Sequence, residues 1–459
     1  MTQSGFIVVI DLGTSKITGV IGRKNDNGVI SILHHVTLPS EDSIRRGAIY
    51  NIGKAGSIVS KLVKMLEHKM DASIGKVFVS LGGRSLYTTL LREEMTLAAE
   101  NGIVTNEIID KLNASAKNYQ PDLKSNYDIA DVEYFLDDKS EKSPIGVASE
   151  NIKAIFRIVV GRPNLITNIQ KVIEKTNVEI ADYIISSTAA ADIVLTDEEK
   201  DLGCAFVDFG AGTTDVVVYK GGILRHMVTI PFGGKNITRD ITELNFVESD
   251  AEQYKVKFGK AKESNEGFTF SSPFSSKPDI DLVELNKVIV LRLDEITANI
   301  KEQIKLSEYG DELGAGIVIT GGASQLKNLD LYLSQKLGMP VRKATARKTF
   351  VNNAPELVSS PSMSSLLGML LKANENCEYI PPKVIVVEEE HEEATEDTET
   401  TRSTTKGNRG WGGIFGKDPK EKKSKNDSTP NKTPDKKGKL GDAMKDMFIG
   451  FFDDSEDDR

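Results

Sequence analysis

The stretch Cys204-Ala205-Phe206-Val207-Asp208-Phe209-Gly210-Ala211-Gly212-Thr213-Thr214-Asp215-Val216-Val217-Val218-Tyr219 is an apolar run, a turn of Gly and Thr, and a β-branched run. It predicts a strand, a tight hairpin and a second strand, with the polar groups at the tip. Gly210 and Gly212 let an anion approach the backbone closely, and consecutive turn amides form a nest for phosphate oxygens. Thr213 and Thr214 add hydroxyl donors. Asp208 and Asp215 repel a bare phosphate, so a bridging cation is needed if both face it. Magnesium suits hard oxygen ligands and usually keeps several of its waters. Taken alone, the Asp-x-Gly pattern is only a hairpin former.

A second copy changes that reading. Phe6-Ile7-Val8-Val9-Ile10-Asp11-Leu12-Gly13-Thr14-Ser15-Lys16-Ile17-Thr18-Gly19-Val20 again runs from an apolar strand through Asp-x-Gly and hydroxyl residues into a β-branched strand. An internal repeat at this separation predicts two similar half-domains whose hairpins face each other across a cleft. A third piece, Gly316-Ile317-Val318-Ile319-Thr320-Gly321-Gly322-Ala323-Ser324-Gln325-Leu326, reads as a buried strand, a Gly-Gly turn and a helix start. Small residues there give flat access for a ribose or adenine. The three pieces in this order resemble the phosphate 1, phosphate 2 and adenosine motifs of the actin, Hsp70 and sugar-kinase superfamily.

Two competitors fail. Asp208-Phe209-Gly210 spells the protein-kinase magnesium motif, but none of His34, His35, His68, His226 and His391 is followed by Arg-Asp. No Gly-x4-Gly-Lys-Ser/Thr is present, so this is not a P-loop protein.

At 459 residues the chain can hold two or more domains, and its formal net charge of −10 does not suggest a nucleic-acid partner. Cys204 and Cys377 are its two cysteines, one in an apolar strand and one beside Asn376. Neither a disulfide framework nor a Cys-rich metal site is indicated, which fits a reducing cytosol. The sequence enters a strand after Gly5 without a basic region and long apolar run, so no signal peptide and no membrane span are expected.

Along the chain, a helix is expected from about Ile52 to Met70 and a strand from Val77 to Leu81. From 84 to 162 the pattern is interrupted by an inserted α+β subdomain of about 80 residues, an ordinary size for a small domain. The host pattern resumes with helix Asn164–Thr176, strand Val178–Ser186 and helix Thr188–Leu195. Residues 1–83 and 163–200 thus form the first lobe, and 201–380 the second, with a smaller subdomain at 235–314. Gly233 and Gly234 open a helix whose free amides offer another anion or ribose contact, although a plain helix start is the simpler reading. Phe258 to Pro278 is polar and Ser-rich and reads as a mobile loop. A long helix follows from Leu282 to Ser307, carrying Arg292, Lys301 and Lys305.

Residues 381–438 are of low complexity, acidic from Glu388 to Glu399 and Lys-rich from Lys417 to Lys439. They cannot bury enough apolar surface to fold and are expected to be a disordered linker. Two apolar islands break the tail. Trp411-Gly412-Gly413-Ile414-Phe415 is short. In the second, within 439–459, Leu440, Met444, Met447, Phe448, Phe451 and Phe452 share one helical face. Such an amphipathic helix serves either to lie in a membrane interface or to dock on a partner, and the membrane is slightly preferred. The acidic end Asp453 to Asp458 opposes anionic lipid, and the cluster Lys432 to Lys439 offsets part of that.

These features together resemble the FtsA family, actin-like proteins of the bacterial division ring, over roughly Ser4 to Asn374 and in the tail architecture. The resemblance is carried by Asp11-Leu12-Gly13-Thr14-Ser15-Lys16, Ile44-Arg45-Arg46-Gly47-Ala48-Ile49, Ala205 to Asp215, Pro231 to Thr238 and Gly316 to Ala323. It implies an α/β, actin-like, duplicated ribonuclease-H-like fold of two lobes with a family-specific insertion. It implies a polymerising protein that uses ATP and Mg2+ and tethers FtsZ to the cytoplasmic face of the inner membrane at the division septum, where later division proteins are recruited. The nucleotide ligands would be Asp11, Gly13, Thr14, Ser15, Lys16, Asp208, Gly210, Gly212, Thr213, Thr214, Gly233, Gly234, Gly321 and Gly322. Asp11 and Asp208 would act on the metal through water. Arg292 aligns with a family residue that contacts the FtsZ C-terminal peptide, with Lys305 the weaker candidate. In the family the tail helix is the membrane anchor.

Departures are visible too. Ser186-Ser187-Thr188-Ala189-Ala190 stands where relatives often carry Glu-Pro, leaving no obvious group to orient an attacking water, so ATPase activity is expected to be weak or absent. Lys235 stands where an acid or amide is common. A small-molecule kinase of the same superfamily would need a general base and has no use for such a tail. An adaptor of a pilus or plasmid-segregation machine shares the fold and stays open.

Overall fold

The computed structural model describes residues 5–97, 102–262, 269–270 and 280–381. The linker beyond 381, the Trp411 island and the tail residues Leu440, Met444, Met447, Phe448, Phe451 and Phe452 lie outside the described residues.

The apolar run near the N-terminus forms β1 (Ile7–Leu12), which turns into β2 (Lys16–Lys24) and then β3 (Ile30–Pro39), each antiparallel to the last. Helix α1 (Ile52–Met70) buries Ala55, Val59, Leu62, Val63 and Leu66, the stripe its helical period sets. Asn51 caps it by accepting the Lys54 amide at 2.9 Å, and Asp71 ends it in the left-handed conformation. Strand β4 (Lys76–Leu81) follows. The inserted segment supplies β5 (Tyr87–Thr96), α2 (Asn106–Asn118), β6 (Ser125–Leu136), β7 (Lys139–Glu141) and β8 (Asn151–Gly161). The first half closes with α3 (Asn164–Ile173), β9 (Glu179–Ile185) and α4 (Ser186–Val194).

The second half repeats the plan with β10 (Cys204–Phe209), β11 (Thr214–Lys220) and β12 (Ile223–Ile230). Then come α5 (Gly234–Thr242), α6 (Glu248–Phe258) and α7 (Leu282–Leu306). Strand β13 (Ile317–Thr320), α8 (Leu329–Leu337), β14 (Val341–Lys343) and α9 (Ser364–Lys372) complete it. Of the loop expected from Phe258 to Pro278, 258–262 and 269–270 are described. Phe258 ends α6, and Thr269–Phe270 pairs with Ile280–Asp281.

The duplication seen in sequence recurs as topology. The first sheet has the order β9-β4-β1-β2-β3, and the second begins β14-β13-β10-β11-β12. Counted from its own hairpin, each runs 5-4-1-2-3, with the first, fourth and fifth strands parallel. Between the sheets, α4 and α9 cross so closely that a side chain at Gly368 would strike the backbone of Ala189.

The insertion departs from its place in sequence. It interrupts the first half, yet its strands extend the second sheet through β12-β5-β8-β6-β7. Tyr87 pairs with Val228, the Thr229 amide donates to Leu86 O at 2.9 Å, and the Leu224 amide donates to Asp131 Oδ2 at 2.8 Å. The physical reason is the edge of β12, whose backbone groups the insertion satisfies.

Candidate functional site

The two Asp-x-Gly hairpins are built in the same register. Asp11 pairs with Thr18 and Leu12 with Ile17, while Asp208 pairs with Asp215 and Phe209 with Thr214. Both tips therefore hold four residues, 13–16 and 210–213, and both face one cleft of about 850 Å3. Asp11, Gly13, Thr14, Ser15 and Lys16 line it from one side, and Asp208, Gly210, Gly212 and Thr213 from the other. Gly234, Gly321 and Gly322 complete its second-half wall.

The tips touch. A Cβ on Gly212 would sit 2.6 Å from Thr14 Oγ1, which itself accepts the Gly47 amide at 2.9 Å. Any side chain at 212 would push the hairpins apart. Gly321 has φ +89°, and a Cβ there would collide with Asp208 Oδ1 and Phe209 O. The third motif is thus pressed directly onto the second hairpin, an approach that only Gly permits.

Two expected ligands face elsewhere. Thr214 is fully buried and donates its hydroxyl to Phe232 O at 2.8 Å, because it belongs to the strand rather than the tip. Gly233 does not line the cleft. It packs on the Gly210 and Ala211 carbonyls and donates its amide to Asn236 Oδ1 at 3.0 Å. For Thr214 the alternation of the strand turns Asp215, not this residue, toward the cleft; Gly233, the cap before α5, is held by its contacts with the Gly210 and Ala211 carbonyls.

The electrostatics are dominated by carboxylates. Burial raises the Asp11 pKa, against a hydrogen bond from Ser80 and the charge of Lys16. Asp208 is pushed up to about 6 by burial, with Asp11 adding repulsion and the Ser365 hydroxyl, donating to Oδ2 at 3.0 Å, opposing it. Asp215 rises to about 7 through burial and the charges of Asp208 and Asp11, against a hydrogen bond from Thr229. Lys16 is lowered by burial and donates to Ser362 Oγ at 3.0 Å.

Such a site holds negative charge under strain and welcomes a divalent cation. Among the described residues no group of three His, Cys, Asp or Glu side chains is arranged to hold a metal ion. Hard carboxylate oxygens on opposite walls, with hydroxyls and turn amides between them, fit a hydrated magnesium carried with a polyphosphate.

Several lining residues carried no legible signal. Lys255 Nζ reaches Gly234 O at 2.9 Å, Thr238 Oγ1 at 2.7 Å and Glu252 Oε2 at 2.7 Å. In sequence, Glu252 and Lys255 are an ordinary i, i+3 pair on α6; the fold brings them to the cleft. Lys235 Nζ donates to Asp42 Oδ1 at 2.6 Å, an ion pair from the second half to the first across the cleft. It holds the Asp42 carboxyl below the usual range.

Arg292 and Lys305 lie away from the cleft on α7. Arg292 is not the solvated cation that a lone exposed Arg usually is. Its Nε and Nη2 form a fork on Asp240 at 2.6 and 2.9 Å, and Nη1 donates to Glu295. The guanidinium thus joins α7 to α5. Lys305 has 79 % of its side chain exposed, with Glu302 at 4.0 Å.

The family described as "Cell division protein FtsA" matches residues 205–368. A "Cell division protein FtsA" of Porphyromonas gingivalis is 30% identical over 381 residues, covering 81% of this chain and 79% of that one. One from Escherichia coli (strain K12) is 27% identical over 386 residues, covering 80% and 90%. Among solved structures, the "PilM-PilN type IV pilus biogenesis complex" superposes with a TM-score of 0.55 at 14% identity, covering 80% of this chain and 98% of that one. That likeness concerns the fold, which is actin-like.

Proposed function

The chain belongs to the FtsA family of cell division proteins, and on that premise we propose that it binds ATP with magnesium between its paired hairpins, polymerises, and tethers FtsZ filaments to the cytoplasmic membrane. The observation that supports the nucleotide reading best is the contact of Gly212 with Thr14, which sets two hairpin turns of the same register tip to tip over one cleft. Turn amides, Lys16 and the hydroxyls of Thr14, Ser15 and Thr213 hold the phosphates. Gly321 and Gly322 give flat access for the nucleoside, with Glu252 and Lys255 within reach of its ribose. Magnesium, when bound, neutralises the phosphates against Asp11 and Asp208. The α4 start offers Ser186 to the cleft and no carboxylate or amide side chain, so turnover is slow.

Titration of the full chain with ATP tests this. Saturable binding that weakens sharply when magnesium is chelated is the expected result; binding indifferent to magnesium sinks the role of the two carboxylates.

The FtsZ C-terminal peptide docks on the 235–314 region, at the face that holds Lys305. Lys305→Glu weakens that binding and leaves ATP binding unchanged. Arg292→Glu also disrupts the link to Asp240, so it does not by itself identify a peptide contact. The segment with Leu440, Met444, Met447, Phe448, Phe451 and Phe452 is the membrane anchor. A chain ending at Gly438 should then stay soluble where the full chain pellets with phosphatidylcholine liposomes.

A further inference from the structure

The exposed face of α1 carries a second concavity, of about 770 Å3, which the nucleotide cleft does not use. Lys61, Lys64, His68 and Lys69 line it from α1, and Lys175 lines it from the turn after α3, with Met65 between them. No carboxylate lines it. Among the described residues Lys61, Lys64 and Lys175 form no ion pair, and the nearby Glu67 is engaged, accepting the Ile74 amide at 3.0 Å. The arrangement is built rather than incidental. Gly56 is buried, and a Cβ there would run into the Lys175 stem, so Gly at 56 is what lets this lysine lie across α1. On a chain of net charge −10, a concavity lined by four lysines and no acid is a local reversal of sign.

Its position narrows the partner. The described chain ends beside α1: the Tyr379 amide donates to Ser73 O at 2.9 Å, and Glu378 bridges to Ile74. The groove therefore lies a few residues from the point where the segment proposed to reach the membrane departs. We propose that this basic groove of α1 binds the anionic headgroups of the membrane surface, a second contact on the body of the protein that acts together with the tail anchor. It rests on the membrane reading above, and it explains how an acidic chain approaches anionic lipid. Each lysine near such a surface adds a small attraction that falls off within a Debye length. Polymerisation multiplies the contacts, so the groove acts strongly only in the assembled state.

The test is sedimentation of the full chain, with ATP and magnesium, on phosphatidylcholine vesicles containing zero to half phosphatidylglycerol. Binding should rise with the phosphatidylglycerol fraction and fall with added salt. In Lys61→Glu/Lys64→Glu, both exposed positions outside the cleft, that rise should be lost, by roughly fivefold or more in affinity for each lysine. Lys175→Gln should show a smaller loss. Nucleotide binding and the melting temperature serve as folding controls and should not move. A charge-reversed variant that keeps the full dependence on phosphatidylglycerol overturns the proposal. So does one that keeps vesicle binding but loses affinity for a poly-glutamate peptide, which would make the partner an acidic protein segment. The chain ending at Gly438 separates the two readings: its loss of pelleting on pure phosphatidylcholine reports the tail, and a phosphatidylglycerol dependence that it keeps, and that Lys61→Glu/Lys64→Glu then removes, reports the groove.

Discussion

The first and second hairpins share a backbone and differ in charge. Each has a four-residue tip and an Asp on the incoming strand. Opposite Asp11 stands Thr18, and the tip ends in Lys16; opposite Asp208 stands a second acid, Asp215, and the tip ends in Thr213. The first side of the cleft therefore pairs its carboxylate with a lysine, and the second sets two carboxylates together with no cation at its tip. The geometry is common to the two hairpins, and the residues that end each tip and stand opposite each Asp set the polarity.

The sharpest way to break this comparison is to remove a carboxylate from the second side. Asp208→Ala should lower ATP affinity in magnesium on the order of 100-fold, as loss of groups that orient a hydrated metal does, while affinity without magnesium changes little. Calorimetric titration of parent and variant checks it; equal losses in both conditions would mean that Asp208 only shapes the pocket.

Next is the contact between the tips. Gly212→Ala places a methyl group against Thr14 and should destabilise the protein by about 1–3 kcal/mol, with weaker nucleotide binding. Combining it with Thr14→Ser, which removes the Cγ2 atom 2.7 Å from the added methyl, should recover part of both losses. Thermal melts of the single and double variants decide whether the hairpins meet as described.

The charge asymmetry also makes a pH prediction. Burial and mutual repulsion push Asp208 up to about 6 and Asp215 up to about 7, above the ordinary 3.8, so the folded chain keeps protons that the unfolded chain has released. Stability without ligand should therefore fall as pH rises from about 4 to about 7, by on the order of several kcal/mol. Magnesium-dependent ATP affinity should rise over the upper part of that window, since the cation needs ionised carboxylates. Asp215→Asn should flatten both profiles; a slope unchanged in that variant would assign the titration to other groups.

The smallest effect concerns the clasp between the halves. Lys235 and Asp42 are partly exposed, with 34% and 64% of their side chains accessible, so their ion pair is worth at most about 1 kcal/mol. Lys235→Gln should speed nucleotide release a few-fold at low salt and leave it unchanged at high salt. Stopped-flow displacement of a fluorescent nucleotide measures this directly.

Much of the architecture could be read in advance because it is local. Helix α1 occupies Ile52–Met70 as its apolar spacing predicts, and the long helix after 281 runs Leu282–Leu306. The site was legible wherever one turn forms a whole binding element, as at Asp11–Lys16 and Asp208–Thr213. It was illegible where one position decides between strand and tip or between cap and cleft: the Thr214 hydroxyl is turned to Phe232 O, and the Gly233 amide is taken by Asn236.

By itself the sequence determined the duplicated hairpins, the helices and the excess of acid in the cleft, since these depend on residues close together in the chain. Tertiary structure alone decided that the insertion joins the sheet of the opposite half. It alone decided that Arg292 is tied to Asp240, that Lys235 reaches Asp42, and that Lys175 lies in a groove of α1. Each of these joins groups far apart in sequence, and nothing in local propensity or spacing encodes which distant partner will be there when the chain closes.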